Sequence, residues 1–240
     1  MGNIFRFFLI AFSGLLLVSC AEKNNELSCE EILATSYENS LLNNFEKNKF
    51  RDLLINRYPQ YDQMFQEASE ETNIDKNLLA AISFQESQWD PRAKSSMGVR
   101  GMMMVTLETA ALVGVEKRLN PEQNIKGGAR YFAMLQDKNK LGLTEADKLA
   151  IVLASYNLGP TSIINVANQI SEDITNITWN EISERLETIK GQELNLTDKD
   201  SYTRGQQAID YVNRVKDYYR LLSGHSCVAP IDRLTFSLES

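Results

Sequence analysis

Histidine is almost absent from this chain of 240 residues, and its scarcity excludes several kinds of active site. The one histidine, His225, lies near the C-terminus and has no second histidine with which to share a metal. It could complete a Ser-His-Asp or Cys-His site, but we favour a structural or solvent-exposed role. The sequence also lacks metal-ligand spacings, a phosphate-binding loop and a dinucleotide-binding glycine pattern. We therefore predict neither a metal nor a cofactor.

An excess of basic residues is also missing, since 25 lysines and arginines are outnumbered by 32 aspartates and glutamates, a net charge of −7. Nucleic acids are bound through clustered lysine and arginine side chains, and no such patch stands out here. The sequence therefore predicts no nucleic-acid partner. A hydrophobic content of 43% and a charged content of 24% indicate an ordinary globular protein rather than a disordered one.

Long apolar runs are missing except at residues 7–18. This run is shorter than the roughly 20 residues that a transmembrane helix needs, so it predicts a signal peptide at residues 1–19. The sequence Leu-Val-Ser-Cys that ends at Cys20 resembles the lipobox of bacterial lipoproteins, in which the cysteine is lipidated. An ordinary signal peptide or an uncleaved anchor is the alternative. Ala21 follows, not the aspartate often linked to inner-membrane retention, so we expect a lipid anchor on the periplasmic face of the outer membrane, with a tether at 20–28.

Cysteines number only three. If Cys20 carries lipid, Cys29 and Cys227 remain, one near each end of the mature chain. An oxidising periplasm would permit a disulfide between them, and closing so long a loop could stabilise the fold by about 4 kcal/mol. Two free thiols are the alternative.

Alternating strand patterns of any length are absent, and helix signals cover most of the chain. Helices are predicted over 29–45, 47–57 and 60–71, and another should follow Asp75 and end at Asp90-Pro91. Residues 93–105, with two glycines and three consecutive methionines, are predicted to form a structured loop. Further helices should follow these capping residues: Thr106, Asn120, Thr144 and Thr178.

The last helix is predicted over 204–222, with Gly224 closing it. In the helix after Asn120, Gly127-Gly128 costs helix stability and suggests that another backbone packs close there. Together these signals predict one mainly α-helical domain over residues 29–240, with its core at 50–222 and at most a short β ribbon.

A glutamate interrupts the apolar stripe of the helix that follows Asp75. Leu78 and Ile82 are four residues apart, and the next position in the same stripe is Glu86. A carboxyl group at that position would be partly desolvated, which raises its pKa and lets it act as a general acid and then as a base. Periodicity alone leaves open the alternative of a solvated glutamate at a helix end.

Several ordered blocks resemble the lytic transglycosylase SLT domain, a group similar to glycoside hydrolase family 23. The pair Glu86-Ser87 opens the signature, and ASYNLG at 154–159 resembles the A-Y-N-x-G block of the family. The wider match is similar to the F-type branch of the membrane-bound lytic murein transglycosylases. The blocks that carry it are YPQY, LLAAISFQESQWDP, GVRGMMMVT, NPEQNIKGGARY and RGQQAIDYV.

This resemblance implies a lysozyme-like, goose-type fold that cleaves the β-1,4 bond between N-acetylmuramic acid and N-acetylglucosamine in peptidoglycan strands. The product would be a 1,6-anhydro sugar, because the muramyl C6 hydroxyl attacks C1 in place of water. Such a reaction needs no second catalytic carboxylate, and we find no convincing one, since Asp90 adjoins a helix end and Glu108 a helix start. A hydrolytic muramidase on the same fold and a non-catalytic wall-binding lipoprotein are the alternatives.

The resemblance also implies roles for individual residues. Glu86 is the expected catalytic acid and base, and Ser87 is expected to support it. Met104 stands where many relatives have glutamine, and we expect no room here for the large amino-terminal domain of the F-type enzymes. The residues expected to bind substrate are Ser95, Met103, Tyr156, Asn157 and Tyr211.

Overall fold

The structure is a computed structural model that describes residues 27–188 and 201–228. The signal peptide predicted at 1–19 and the lipidation predicted at Cys20 lie outside the described residues, as does most of the tether. No helix within the described ranges is long and apolar enough to cross a membrane.

The described part of the chain contains ten α-helices and no β-strand. In chain order they are α1 (Cys29–Glu38), α2 (Asn44–Asn56), α3 (Asp62–Thr72), α4 (Lys76–Ser87), α5 (Leu107–Leu112), α6 (Pro121–Lys138), α7 (Glu145–Leu158), α8 (Pro160–Ile170), α9 (Trp179–Thr188) and α10 (Ser201–Val228). Short 3₁₀ turns occupy Tyr58–Gln60 and Ile174–Asn176. Two isolated β-bridges join Arg100 to Lys94 and to Val105. The prediction of a mainly α-helical fold with at most a short β ribbon is confirmed.

Side-chain caps begin five of these ten helices at the predicted residues. Each cap accepts a hydrogen bond from the backbone N–H three residues later and so satisfies one of the free donors of the first turn. The capping residues are Asp75, Thr106, Asn120, Thr144 and Thr178.

Several predicted helix boundaries are wrong, and α4, for example, ends at Ser87 and not at Asp90-Pro91. The single helix predicted over 29–45 ends at Glu38, and Asn43 caps a separate α2 by accepting a hydrogen bond from the Glu46 N–H. The last helix continues past Gly224 to residue 228. Gly224 serves packing instead, because a Cβ at this position would lie 3.1 Å from the Cα of Leu33 on α1.

The two ends of the described chain meet where α1 packs against α10. A disulfide joins Cys29 to Cys227, with their Cα atoms 5.3 Å apart. Nearby, His225 Nε2 lies 2.9 Å from the Tyr37 hydroxyl. Burial, and to a smaller extent the positive charge of Arg51, lowers the pKa of His225 to about 4. The ring is therefore neutral at physiological pH and has a structural role.

Helix α4 is central to the core, and residues 78–84 on it are all buried. It packs against α3 and α10. Trp89, just after its end, is fully buried and donates a hydrogen bond of 2.9 Å from Nε1 to the Ala80 carbonyl. Its ring packs against three other aromatic rings, those of Phe50, Tyr58 and Phe84. This packing holds the end of α4, and with it Glu86, in a defined position.

The glycine pair on α6 permits close approach, as predicted, but the approaching groups are side chains rather than a backbone. A Cβ at Gly127 would lie 2.5 Å from Val115 Cγ2. A Cβ at Gly128 would lie 2.6 Å from the Cβ and Sδ of Met103. The second contact brings the loop of residues 93–105, which we call the methionine loop, against α6.

Candidate active site

Glu86 lies in the last turn of α4, where the buried stripe of that helix reaches the surface. Its side chain is half-buried, while Leu78 and Ile82 before it are buried. Burial raises the pKa of Glu86 from 4.5 to about 7, and a contact with Tyr211 offsets part of the rise. The carboxyl group is thus desolvated yet accessible, in agreement with the interpretation of the interrupted stripe. Near neutral pH it can both give and take a proton.

Tyr211 on α10 lies beside Glu86 and is only 4% exposed. Burial raises its pKa well above the ordinary value, and the charge of Glu86 adds to the rise. Within the described residues its hydroxyl completes no hydrogen bond of regular geometry, even though it is close enough to lower the pKa of Glu86. It is therefore a buried donor poised next to the carboxyl group, and a small movement of either side chain would form the bond.

Tyr156 on α7 lies near the same carboxyl group. Its hydroxyl donates a hydrogen bond of 2.8 Å to the carbonyl oxygen of Met103. Burial, followed by the charge of Glu86, raises the pKa of Tyr156 well above its ordinary value. Tyr156 and Tyr211 therefore both remain protonated around Glu86 at any physiological pH. A carboxylate formed there would face hydroxyl groups rather than other anions.

The methionine loop is tied to α4 through one carbonyl group. Ser87 Oγ donates to the Met102 carbonyl oxygen at 2.7 Å, and Ser83 Oγ donates to the same atom at 3.0 Å. Ser87 also bonds the Ser83 carbonyl oxygen at 3.0 Å. These contacts are of the kind expected for a residue that supports Glu86, because they join the loop to the helical turn that carries the acid.

Asn124 on α6 holds the same loop in place through hydrogen bonds, a role that was not predicted from the sequence. Its fully buried side chain accepts a hydrogen bond of 2.7 Å from the Met103 N–H and donates one of 2.7 Å to the Arg118 carbonyl oxygen. Gly101, with φ of +97°, leaves room for this amide, since a Cβ there would lie 2.4 Å from Asn124 Nδ2. The sequence did contain one signal for this role. Asn124 is a polar residue four positions before Gly128, so the two lie on the same face of α6, and that face is buried.

Met103 does not have the position expected of a substrate-binding side chain. It is fully buried against Gly128, so a sugar could reach it only after the core had opened. The substrate-binding role of its side chain stays a prediction, one that this buried position does not support. Its backbone is what matters, because the N–H bonds Asn124 and the carbonyl oxygen bonds Tyr156. The methionine that retains exposure at this point is Met104, which is half-buried.

Ser95 and Asn157 form no hydrogen bond with Glu86 among the contacts of the described residues. Ser95 Oγ accepts a hydrogen bond of 3.1 Å from the Val99 N–H, which is a local turn contact and leaves the hydroxyl proton free to donate. Asn157 is exposed at the end of α7, next to Tyr156. Their positions neither establish nor contradict a role with substrate.

Among residues 27–188 and 201–228, no second carboxylate contributes to the raised pKa of Glu86. Asp90 Oδ1 accepts a hydrogen bond of 2.9 Å from the Arg92 N–H, which is a turn contact after the end of α4. The site thus consists of one desolvated acid, two protonated tyrosines and a loop tied to three helices. Such a site can deliver a proton to a leaving oxygen and recover one afterwards.

Comparison with known proteins gives three kinds of match. Residues 63–178 match the family described as "Transglycosylase SLT domain". The chain is 37% identical over 205 residues to membrane-bound lytic murein transglycosylase F 1 of Alkalilimnicola ehrlichii, which covers 82% of this chain and 41% of that protein. It is 36% identical over 173 residues to membrane-bound lytic murein transglycosylase F of Vibrio cholerae, which covers 72% of this chain and 32% of that protein.

Among solved structures, an inactive mutant of the lytic transglycosylase Slt from Pseudomonas aeruginosa superimposes with a TM-score of 0.51 at 17% identity. The match covers 86% of this chain and 32% of that chain. At so low an identity the likeness concerns the fold alone, and it confirms the predicted lysozyme-like fold. The chain spans less than half of the length of these curated relatives.

Proposed function

This chain belongs to the lytic transglycosylase family that carries the SLT domain, and from that premise we propose that it cleaves the glycan strands of peptidoglycan. The bond to be cleaved is the β-1,4 bond between N-acetylmuramic acid and N-acetylglucosamine. The observation that carries the proposal is the single desolvated carboxyl group of Glu86, flanked by two tyrosine hydroxyl groups.

Glu86 performs both proton transfers in this proposal. In its neutral form it protonates the glycosidic oxygen while the bond from C1 to that oxygen breaks. The resulting carboxylate then takes the proton of the muramyl C6 hydroxyl as O6 bonds to C1, which yields a 1,6-anhydro end and regenerates the neutral acid. A pKa of about 7 suits both steps, because neither protonation state is strongly disfavoured near neutral pH.

The lack of a nearby second acid favours this route over hydrolysis. Retaining glycosidases place two carboxyl groups about 5 Å apart, and a carboxylate at that distance would raise the pKa of Glu86 by like-charge repulsion. No such contribution arises from the described residues. The N-acetyl group of the substrate would stabilise positive charge at C1, and Tyr211 would donate a hydrogen bond to the sugar or to the carboxylate. Tyr156 already donates its proton to the Met103 carbonyl oxygen, so its hydroxyl oxygen could only accept a hydrogen bond from the sugar. Ser95 and Asn157 remain proposed substrate contacts.

We also propose that the catalytic domain spans residues 29–240 and faces the periplasm. After removal of residues 1–19, lipid on Cys20 would hold it at the outer membrane. The lipobox-like sequence supports the anchor, and the bond between Cys29 and Cys227 suits an oxidising compartment.

The test is digestion of purified peptidoglycan sacculi, with the soluble fragments weighed by mass spectrometry. We expect fragments with anhydro ends, each lighter by one water than a hydrolysed end. Glu86→Gln should reduce release by at least about a hundredfold without altering the circular dichroism spectrum, whereas the exposed control Glu116→Gln should remain active. Hydrated ends would indicate a hydrolytic muramidase. Strand binding without release would indicate a non-catalytic wall-binding protein.

A further inference from the structure

A cavity of about 410 Å³ lies near Tyr156, one of the two tyrosines close to Glu86. Tyr131 forms one of its walls, and the Tyr131 ring packs against Tyr156 with centroids 5.5 Å apart. The charge of Glu86 in turn contributes, after burial, to the raised pKa of Tyr156. Glu86 does not line the cavity, and the Tyr131–Tyr156 ring pair lies between the cavity lining and the residues around the acid.

The walls of this cavity are mostly apolar and come from α5, α6, α8 and the segment after α6. Leu112 and Ile164 line it while 61% and 43% exposed. The apolar lining continues with Met134, Leu135 and Leu141. Buried hydroxyl groups need hydrogen-bonding partners, and this lining offers few of them, so it suits a ligand with apolar groups better than a bare glycan.

Two lysines give the cavity a positive rim in a protein of net charge −7. Lys138 and Lys140 both line it and both are exposed. Neither forms an ion pair with a carboxylate of the described residues, unlike Lys126 and Lys148, which do. The cavity thus offers an apolar surface next to two unneutralised positive charges, a combination that matches a ligand with small apolar groups and free carboxylates.

We infer that this cavity binds the peptide stem of the peptidoglycan strand, an inference that rests on the proposed function. Stem peptides combine alanine methyl groups with free carboxylates, and they are attached to the muramic acid whose bond is to be cleaved. Each peptide residue spans up to about 3.5 Å, so a few residues suffice to pass two aromatic rings. The pKa of Tyr131 is raised by burial and, to a smaller extent, by the negative charge of Glu108 on α5. Glu108 would therefore repel an anion at the Tyr131 end of the cavity. The carboxylates should therefore lie at the lysine end of the cavity.

The experiment compares two substrates that differ only in the peptide: intact strands, and the same strands after an amidase has removed the stems. The wild type should have a higher kcat/KM for intact strands. Lys138→Gln combined with Lys140→Gln should lower that preference about fivefold through KM, the size expected for two exposed ion pairs. Ile164→Trp should have the same effect by obstructing the mouth, without any change of charge.

The matched control is Lys47→Gln combined with Lys49→Gln, which removes two charges at the same spacing from α2. The control should leave the preference unchanged. Equal losses on both substrates, or no loss on either, would overturn the inference. A titration of the wild-type protein with a free stem tripeptide, followed by NMR, should shift signals of residues lining the cavity. Binding of phospholipid vesicles in place of the peptide would assign the cavity to a lipid and overturn the inference as well.

The two proposals fail in different ways. If the wild type releases nothing from either substrate, the proposed function fails, while the tripeptide titration still decides whether the cavity takes a peptide. If anhydro ends appear at equal rates from both substrates and no tripeptide binds, the proposed function stands and only the peptide site is refuted.

Discussion

Replacing Glu86 by glutamine should make the folded protein more stable. The gain should be present only at pH values at which the wild-type carboxyl group is ionised in the unfolded chain. The pKa of Glu86 is raised from 4.5 to about 7 by burial. Its neutral form is therefore compatible with the fold at low pH. Between about pH 4.5 and 7 the unfolded chain releases this proton while the folded chain keeps it, so the stability of the wild type falls as the pH rises. The loss is complete above the folded pKa.

The magnitude follows from the size of the shift. One pKa unit corresponds to about 1.4 kcal/mol, which sets an upper limit of about 3 kcal/mol for Glu86. Because the side chain is only half-buried, we expect about 1–3 kcal/mol. In a domain of this size, that gain raises Tm by about 3–10 °C. Glutamine has nearly the same shape and cannot ionise, so the variant should avoid the loss.

The assay is thermal unfolding of the wild type and of Glu86→Gln at a series of pH values from about 4 to 8. The two curves of Tm should coincide at the acidic end and separate progressively, with the variant higher. Glu116→Gln, at an exposed position, should follow the wild type throughout. If Glu86→Gln also followed the wild type at every pH, Glu86 would ionise as in the unfolded chain, and the argument for a neutral catalytic acid would be refuted.

Other predictions concern the contacts around the site and the closure of the chain. Tyr156→Phe leaves the Met103 carbonyl oxygen without its partner, so urea unfolding should show a loss of about 1–3 kcal/mol; an unchanged midpoint would contradict this hydrogen bond. Asn124→Leu keeps the volume but strips three backbone groups of their buried partner, so we expect a loss of about 3 kcal/mol or more, and a stable variant would show that the loop is held by other contacts. Cys29→Ser combined with Cys227→Ser opens a loop of sequence separation 198, which should lower the unfolding free energy by about 4–5 kcal/mol; wild-type unfolding that is insensitive to reductant would contradict this.

The helix starts were predictable because their causes are local. A capping side chain and the N–H that it accepts from are three residues apart, as at Asp75 and Thr106, so a short window of sequence contains both partners. The boundary between α1 and α2 was missed because one of its causes is distant. Residues 39–43 contain no glycine or proline, and the turn is held by Asp217 on α10, which accepts a hydrogen bond of 2.9 Å from the Leu41 N–H.

The partial desolvation of Glu86, the candidate acid, was also predictable, because a stripe of period 3.6 shows which side of α4 faces the core. What surrounds Glu86 was predictable only from the family resemblance and not from the local pattern of residues. Tyr156 and Tyr211 come from helices far along the chain, and no periodicity within α7 or α10 shows that both lie near one carboxyl group. The burial of Met103 was not predictable for the same reason, since only Gly128 on α6 shows that its side chain has room in the core.

By itself, the sequence determined most of the helices, several of their caps, the family and the position of the candidate acid, since each depends on residues within a few positions of one another or on ordered motifs. Only the tertiary structure decided the pKa of Glu86, the buried amide of Asn124 that holds the loop, and the apolar cavity with its lysine rim. Desolvation and enclosure depend on atoms brought together from distant segments, and nothing in the local order of residues specifies which segments will meet.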